Sequence, residues 1–249
     1  MKKLIRLLGV ITMVCLITNN SSAQTFPVST IIYNGSSSNH IDLVFLADGF
    51  TSAEQSNFIT QATNVTNALF DQTPYAEYKN LFNVYAIQVP STQSGLKHPG
   101  TASDCSSANP TVPVSNPNNY FGSTFDYGGV HRLVVATNTA AIQSVLLANF
   151  PAYNKAIVIA NSTYYGGSGG TYPCVTINNA SSEILIHELG HSLANLTDEY
   201  TYGGCGTIEK PNCTSETNPS LIKWKNWIPR SEEHTSELQS HSDLVCRLL

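Results

Sequence analysis

Apolar residues gather along this chain into short compact runs and longer periodic ones. Ile41-Asp42-Leu43-Val44-Phe45-Leu46-Ala47 is a compact run that ends in Asp48-Gly49, which predicts a strand closed by a turn. Thr51 with Glu54 three residues on forms a capping box, and Phe58, Ala62, Val65 and Leu69 then recur at helical spacing up to Phe70. Residues 82–89 read as the next strand, and the helix between the two makes a parallel, right-handed crossover the expected connection. His131 to Thr137 predicts another strand, Ala140 to Phe150 a helix, Lys155 to Ala160 a strand, and Pro173 to Ile177 a short one. Strands alternating with helices in this way predict an α/β fold, a mixed and mostly parallel sheet flanked by helices.

Two polar stretches interrupt the pattern. Pro90 to Tyr127 is rich in Ser, Pro, Asn and Gly, a long loop of the kind that carries function or is stapled by a disulfide. Asn161 to Tyr172 is rich in glycine and tyrosine. It lacks a Walker lysine and opens no helix, so it does not read as a phosphate cradle, and its place before the last helix suggests a loop lining a substrate groove.

Composition trims both ends of the expected domain. Lys2, Lys3 and Arg6, the apolar run Leu7 to Ile17 and Ser21-Ser22-Ala23 before Gln24 read as a cleaved signal peptide over residues 1–23, which implies a secreted, periplasmic or cell-surface protein. Residues 230–249 are abruptly polar after the aromatic Trp224 to Pro229 and resemble the translation of a sequencing-library adapter, so they are excluded from the expected fold. The remaining 24–229 reads as one catalytic domain, incomplete at its C-terminus. That domain holds seven Lys and Arg against thirteen Asp and Glu. An acidic chain with so few basic residues argues against nucleic acid as a partner, and against any membrane anchor beyond the signal peptide. Its four cysteines suggest disulfides, Cys205 with Cys213 and Cys105 with Cys174, while a zinc knuckle lacks the C-x-x-C spacing it would need.

The chemistry is concentrated in Ser182 to Tyr200, S-E-I-L-I-H-E-L-G-H-S-L-A-N-L-T-D-E-Y. Ser182 can cap a helix, Glu183 suits its first turn, and Ile184, Leu185, Leu189, Leu193 and Leu196 supply an apolar side. Four helical residues turn through about 400° and rise about 6 Å, so His187 and His191 leave one face a turn apart and can hold one metal ion, expected to be Zn²⁺. Glu188 points to the side of that face, the position of a general base acting on water. Gly190, costly inside a helix, implies something packed close to the backbone.

A third ligand is needed. Asp198 lies seven residues after His191 and would be out of reach on a continued helix, so a turn at Asn195, the residue here most tolerant of the left-handed conformation, is expected to bring it back. Glu199, Glu209 and Glu216 are the alternatives. Tyr200 and Tyr165 are candidate donors to an oxyanion, whereas His98 and His131 read as ordinary histidines and Arg132 as a structural residue.

H-E-L-G-H-S-L-A-N-L-T-D-E-Y resembles the signature of the bacterial IgA-peptidase family of zinc metallopeptidases, in which an H-E-x-G-H helix is followed by L-x-D-E-Y. Leu46 to Thr51, Gln93 to Gly100, Tyr165 to Gly169 and Trp224 to Trp227 look like further blocks of that family in order. The resemblance implies a zincin or metzincin-like catalytic domain and endopeptidase chemistry on a protein or peptide substrate. Its implied ligands are His187, His191 and Asp198, with Glu188 as base. It does not imply immunoglobulin as the substrate. Met1 and Met13 are the only methionines in this sequence, so a methionine turn of the metzincin kind either falls past Pro229 or is absent. Beside a secreted zinc endopeptidase, the sequence leaves open a surface binding module with a structural zinc and an inactive fragment.

Overall fold

The computed structural model describes residues 24–108, 110–198 and 209–227. The expected signal peptide over residues 1–23, Glu199, Tyr200, Cys205 and the 230–249 segment lie outside the described residues. In chain order the elements are β1 (Val28–Ile32), β2 (Ile41–Asp48), α1 (Gln55–Phe70), the single turn α2 (Tyr75–Tyr78), β3 (Phe82–Ile87), β4 (Ser123–Thr124), β5 (Val135–Ala136), α3 (Thr139–Asn149), β6 (Lys155–Ala160), β7 (Gly167–Ser168), β8 (Cys174–Thr176) and α4 (Ser181–Ala194).

Six strands form one sheet in the order β1-β3-β2-β6-β8-β7. The β3-β2, β2-β6 and β6-β8 pairs are parallel, and the two outer pairs, β1-β3 and β8-β7, are antiparallel. Side-chain alternation divides the core between the faces. Leu43, Phe45 and Ala47 of β2 pack with Phe58, Ala62 and Leu69 of α1 and with Leu185 and Leu189 of α4. Val44 and Leu46 face the other way, toward Ile142 and Leu146 of α3 and toward Leu96, Phe121 and Phe125 of the long loop. Both faces of the central strands are thus covered, which is why β2 reads as an almost unbroken apolar run. Among the described residues no helix is long and apolar enough to cross a membrane.

The expected capping box is present, with the Thr51 amide and hydroxyl both donating to Glu54 Oε2 at 2.8 Å, ahead of a short 3₁₀ turn and then α1. One expected strand is not part of the main sheet. Of residues 131–137 only Val135–Ala136 is a strand, paired with β4, while Leu133 bridges to Gly167. Both edges of β6 are already occupied by β2 and β8, so this apolar run is buried without a place in the parallel array. Two short strands carry no clear period in the sequence, β1 in the Ser/Asn-rich leader and β7 in the glycine-rich stretch.

The Cys105–Cys174 disulfide is also corrected, because both are free thiols. Cys174 is fully buried on β8 with its sulfur 3.8 Å from Ser123 Oγ, and burial pushes its thiol up to about 12. Cys105 lies in a separate 3₁₀ turn among His98, Asp126 and His131. Cys213, expected to pair with Cys205, is likewise a free thiol.

The end of β2 ties the long loop to the sheet. Asp48 is fully buried, and its carboxylate accepts hydrogen bonds from the amides of Phe121 and Ser123, each 2.9 Å, and from Ser91 Oγ at 3.3 Å. Gly49 follows at φ 74°, and a Cβ there would stand 2.5 Å from the carbonyl oxygen of Gly95, so this turn needs glycine on both counts.

Candidate active site

α4 is anchored by one side and leaves the other open. Leu185 and Leu189 are fully buried against the sheet, and Tyr75, the first residue of α2, donates from its hydroxyl to the carbonyl of Ile186 at 3.4 Å. The helix begins two residues earlier than expected, at Ser181 with Ala180 in the cap position. Ser182 does not cap it, since its hydroxyl donates to the carbonyl of Asn179, and it is Ser181 that is buried, 2.8 Å from Thr176 Oγ1.

The expected stop at Asn195 is present, with φ 55° and ψ 33°. The amide of Leu196 turns back to the Gly190 carbonyl at 3.3 Å, and the Leu196 side chain comes within 3.5 Å of where a Gly190 Cβ would sit. Leu196 is therefore the group packed over Gly190, at ordinary contact distance, so an alanine methyl would fit there. Two side chains from the following loop hold this turn. Asn212 brackets Thr197 with hydrogen bonds to its amide and carbonyl at 2.9 and 2.8 Å, and Lys210 Nζ donates to Asn195 Oδ1 at 2.6 Å. Lys210 is in turn bridged to Cys213 through the backbone, and Lys223 donates to the carbonyls of both. Nothing in their spacing marks these residues, because they act through a contact fifteen residues away in sequence.

With the turn made, Asp198 reaches the histidine face. Its Oδ1 lies 3.0 Å from His187 Nε2 and 3.1 Å from His191 Nε2, and the two imidazole nitrogens are 3.0 Å apart. The carbonyl of Leu196 lies 2.9 Å from His191 Nδ1 and can only accept, so that nitrogen carries the proton and Nε2 presents a lone pair to the cluster. The three side chains are 28–42 % exposed, so the group is open to solvent on one side. Two imidazoles and a carboxylate converging this closely can hold a divalent cation.

Glu209 and Glu216 are engaged elsewhere. Lys223, 2.7 Å away, and the Ser215 amide hold the Glu209 carboxyl down at about 2, and Glu216 accepts from the amide of Asn218. Tyr165 is 42 % exposed in the turn before β7. Glu188 lies at the side of the histidine face, against the glycine-rich edge of the sheet. A Cβ added to Gly169 would collide with the Glu188 carboxylate, so this close approach is open only to glycine. Gly170 next to it is exposed with no heavy atom near its missing Cβ. The outer side of β7 is partly taken, since Gly167 exchanges hydrogen bonds with Arg132 and Val134, and the opening therefore lies at Gly169-Gly170.

The sequence model described as IgA Peptidase M64 matches residues 30–236 of the chain. No curated protein matches it at significant similarity.

Proposed function

The chain belongs to the IgA peptidase M64 family and is a peptidase with protein or peptide substrates, and we propose that it is a secreted, zinc-dependent endopeptidase. In this reading His187, His191 and Asp198 hold the ion and Glu188 is the general base. The observation that carries it is the return of Asp198 Oδ1 to within 3.0–3.1 Å of both imidazole nitrogens. The donor set suits zinc, around which nitrogen and oxygen ligands with bonds of about 2.0 Å stand about 3.3 Å apart. The proton on His191 Nδ1, held by the Leu196 carbonyl, is the outer hydrogen bond that orients a ligand imidazole. Secretion rests on the basic, apolar and small-residue order of residues 1–23.

When bound, zinc supplies Lewis acidity, which acidifies water and polarises a peptide carbonyl. Glu188 accepts the proton of the attacking water and delivers it to the departing amine. An extended substrate lies along the open Gly169-Gly170 backbone, beside Glu188 and above the histidines.

Metal removal tests this directly. Dialysis against a chelator is expected to abolish cleavage of casein, and added zinc to restore it. Loss of an outer-shell partner alone typically costs about 10–100-fold in metal affinity, so Asp198→Ala, which removes a ligand, should weaken zinc binding at α4 by at least that much. Cleavage that persists in chelator and in Asp198→Ala would rule the reading out.

Gly169→Ala probes the base separately. The new methyl must push the Glu188 carboxylate aside, and a displacement of about 1 Å in catalytic geometry can cost about 10²-fold. The expected result is a fall of that order in kcat with zinc content and thermal stability unchanged. Wild-type kcat in this variant would mean that the Glu188 position seen here is not the working one.

A further inference from the structure

A second set of metal-type donors lies in the long loop on the opposite face of the sheet from α4. His98, Cys105, Asp126 and His131 each direct one ligand atom to a common centre, and all of these atoms lie within 4.8 Å of one another. Cys105 Sγ is 3.7 Å from His98 Nε2, 3.5 Å from His131 Nδ1 and 3.4 Å from Asp126 Oδ1. Asp126 Oδ1 is 2.9 Å from His131 Nδ1 and 3.4 Å from His98 Nε2. For a tetrahedral zinc with Zn–N and Zn–O near 2.0 Å and Zn–S near 2.3 Å, the edges would be about 3.3 Å between N and O and about 3.5 Å to sulfur. The observed separations scatter around those edges. The residues are separated by seven, twenty-one and five positions in sequence, a spacing that matches no zinc signature.

We propose that His98, Cys105, Asp126 and His131 form a second, structural zinc site that staples the 97–131 loop. Its outer hydrogen bonds are in place. The carbonyl of Pro113 lies 3.0 Å from His98 Nδ1 and can only accept, so a neutral His98 carries its proton there and turns the Nε2 lone pair inward. The amide of Thr101 donates to Asp126 Oδ2 at 2.8 Å, leaving Oδ1 for the centre. Phe125 stacks on the His131 ring at 5.6 Å and 17°, and the amide of His131 donates to Asp104. Asp126 itself stands at φ 63°, a left-handed conformation that few residues other than glycine, asparagine and aspartate adopt.

The unmetallated cluster is poorly balanced. The neutral His98 lone pair faces the Asp126 carboxylate at 3.4 Å, and the Cys105 thiol has one hydrogen for two acceptors, His98 Nε2 and Asp126 Oδ1, while His131 Nδ1 donates to that same Oδ1. Zinc with one thiolate, one carboxylate and two neutral imidazoles is electrically neutral, which suits donors of which three are only 3–7 % exposed. Four protein donors converging on one centre mark a structural site, whereas the three half-exposed donors at the end of α4, His187, His191 and Asp198, leave room for chemistry. A Cys105–His131–Asp126 nucleophile relay does not fit, because His131 turns the same Nδ1 to both Cys105 and Asp126 and a relay needs both ring nitrogens.

The test uses the full chain and counts metal. Wild type is expected to bind two equivalents of zinc, and His187→Ala and Cys105→Ser one each. With cobalt in place of zinc, thiolate-to-cobalt charge-transfer absorption should appear in wild type and in His187→Ala and vanish in Cys105→Ser, since the α4 group contains no thiol. Should Cys105→Ser fail to fold, wild type decides: Cys105, followed by peptide mass, is expected to resist iodoacetamide with zinc bound and to be alkylated after chelation. Equal alkylation with and without zinc, or a metal count that Cys105→Ser leaves unchanged, overturns the site. Loss of the α4 ion alone would appear instead as a count insensitive to His187→Ala, so the two readings fail separately.

Discussion

Glu188→Gln is expected to lower kcat/KM for casein or a peptide substrate by about 10²–10⁴-fold, the usual contribution of a positioned acid–base group, with zinc content unchanged. Glutamine has the shape of glutamate and can keep the close approach to Gly169, so the groove and the histidine cluster stay as they are. What it loses is the capacity to accept a proton. A binding module that held zinc only for structure would show no difference between wild type and this variant in any assay. Proteolysis that survived the substitution at wild-type rate would falsify the assignment of Glu188 as base. The comparison belongs beside chelation, since loss of metal and loss of the base should each abolish turnover while only the first empties the site.

The largest expected effect on stability is at Asp48→Ala. Its carboxylate is fully buried and serves the amides of Phe121 and Ser123 and the hydroxyl of Ser91. Alanine would leave these donors without a partner in the interior, at about 1–3 kcal/mol for each unsatisfied group. Part of that cost relaxes away, and we expect a loss of about 3–5 kcal/mol in urea unfolding, at the upper end for single substitutions. The effect should spread, because Asp48 ties the 90–127 loop to the sheet where β4 begins, and that loop carries His98, Cys105 and Asp126. A shift below about 1 kcal/mol would show that the loop is held without it. In that event its own hydrophobic contacts through Leu96, Phe121 and Phe125 would be sufficient.

Much of the fold was legible where local pattern and tertiary environment agree. β2, α1, β3, α3 and β6 fall close to the expected limits because each is a run of one period, with a cap or turn residue at an end. The segment 131–137 forms only the two-residue β5, outside the main sheet: an apolar run reports burial and not the identity of a partner. The Cys105–Cys174 pairing failed for a related reason. Parity and compartment suggest that cysteines pair, but the fold sends Cys174 into the sheet core and Cys105 to a histidine cluster.

At α4 the helix, the common face of His187 and His191, the lateral place of Glu188 and the turn at Asn195 are legible in the local sequence. All of these follow from 3.6-residue periodicity and from the tolerance of asparagine for positive φ. The approach of Asp198 to the imidazoles, the hold of Lys210 and Asn212 on its turn, and the room that Gly169 makes for Glu188 come from long-range packing. The meeting of His98 and His131 with Cys105 and Asp126 belongs to the same class. Local geometry is written in neighbouring residues, whereas these contacts depend on where distant segments are brought by burial of the two faces of the sheet.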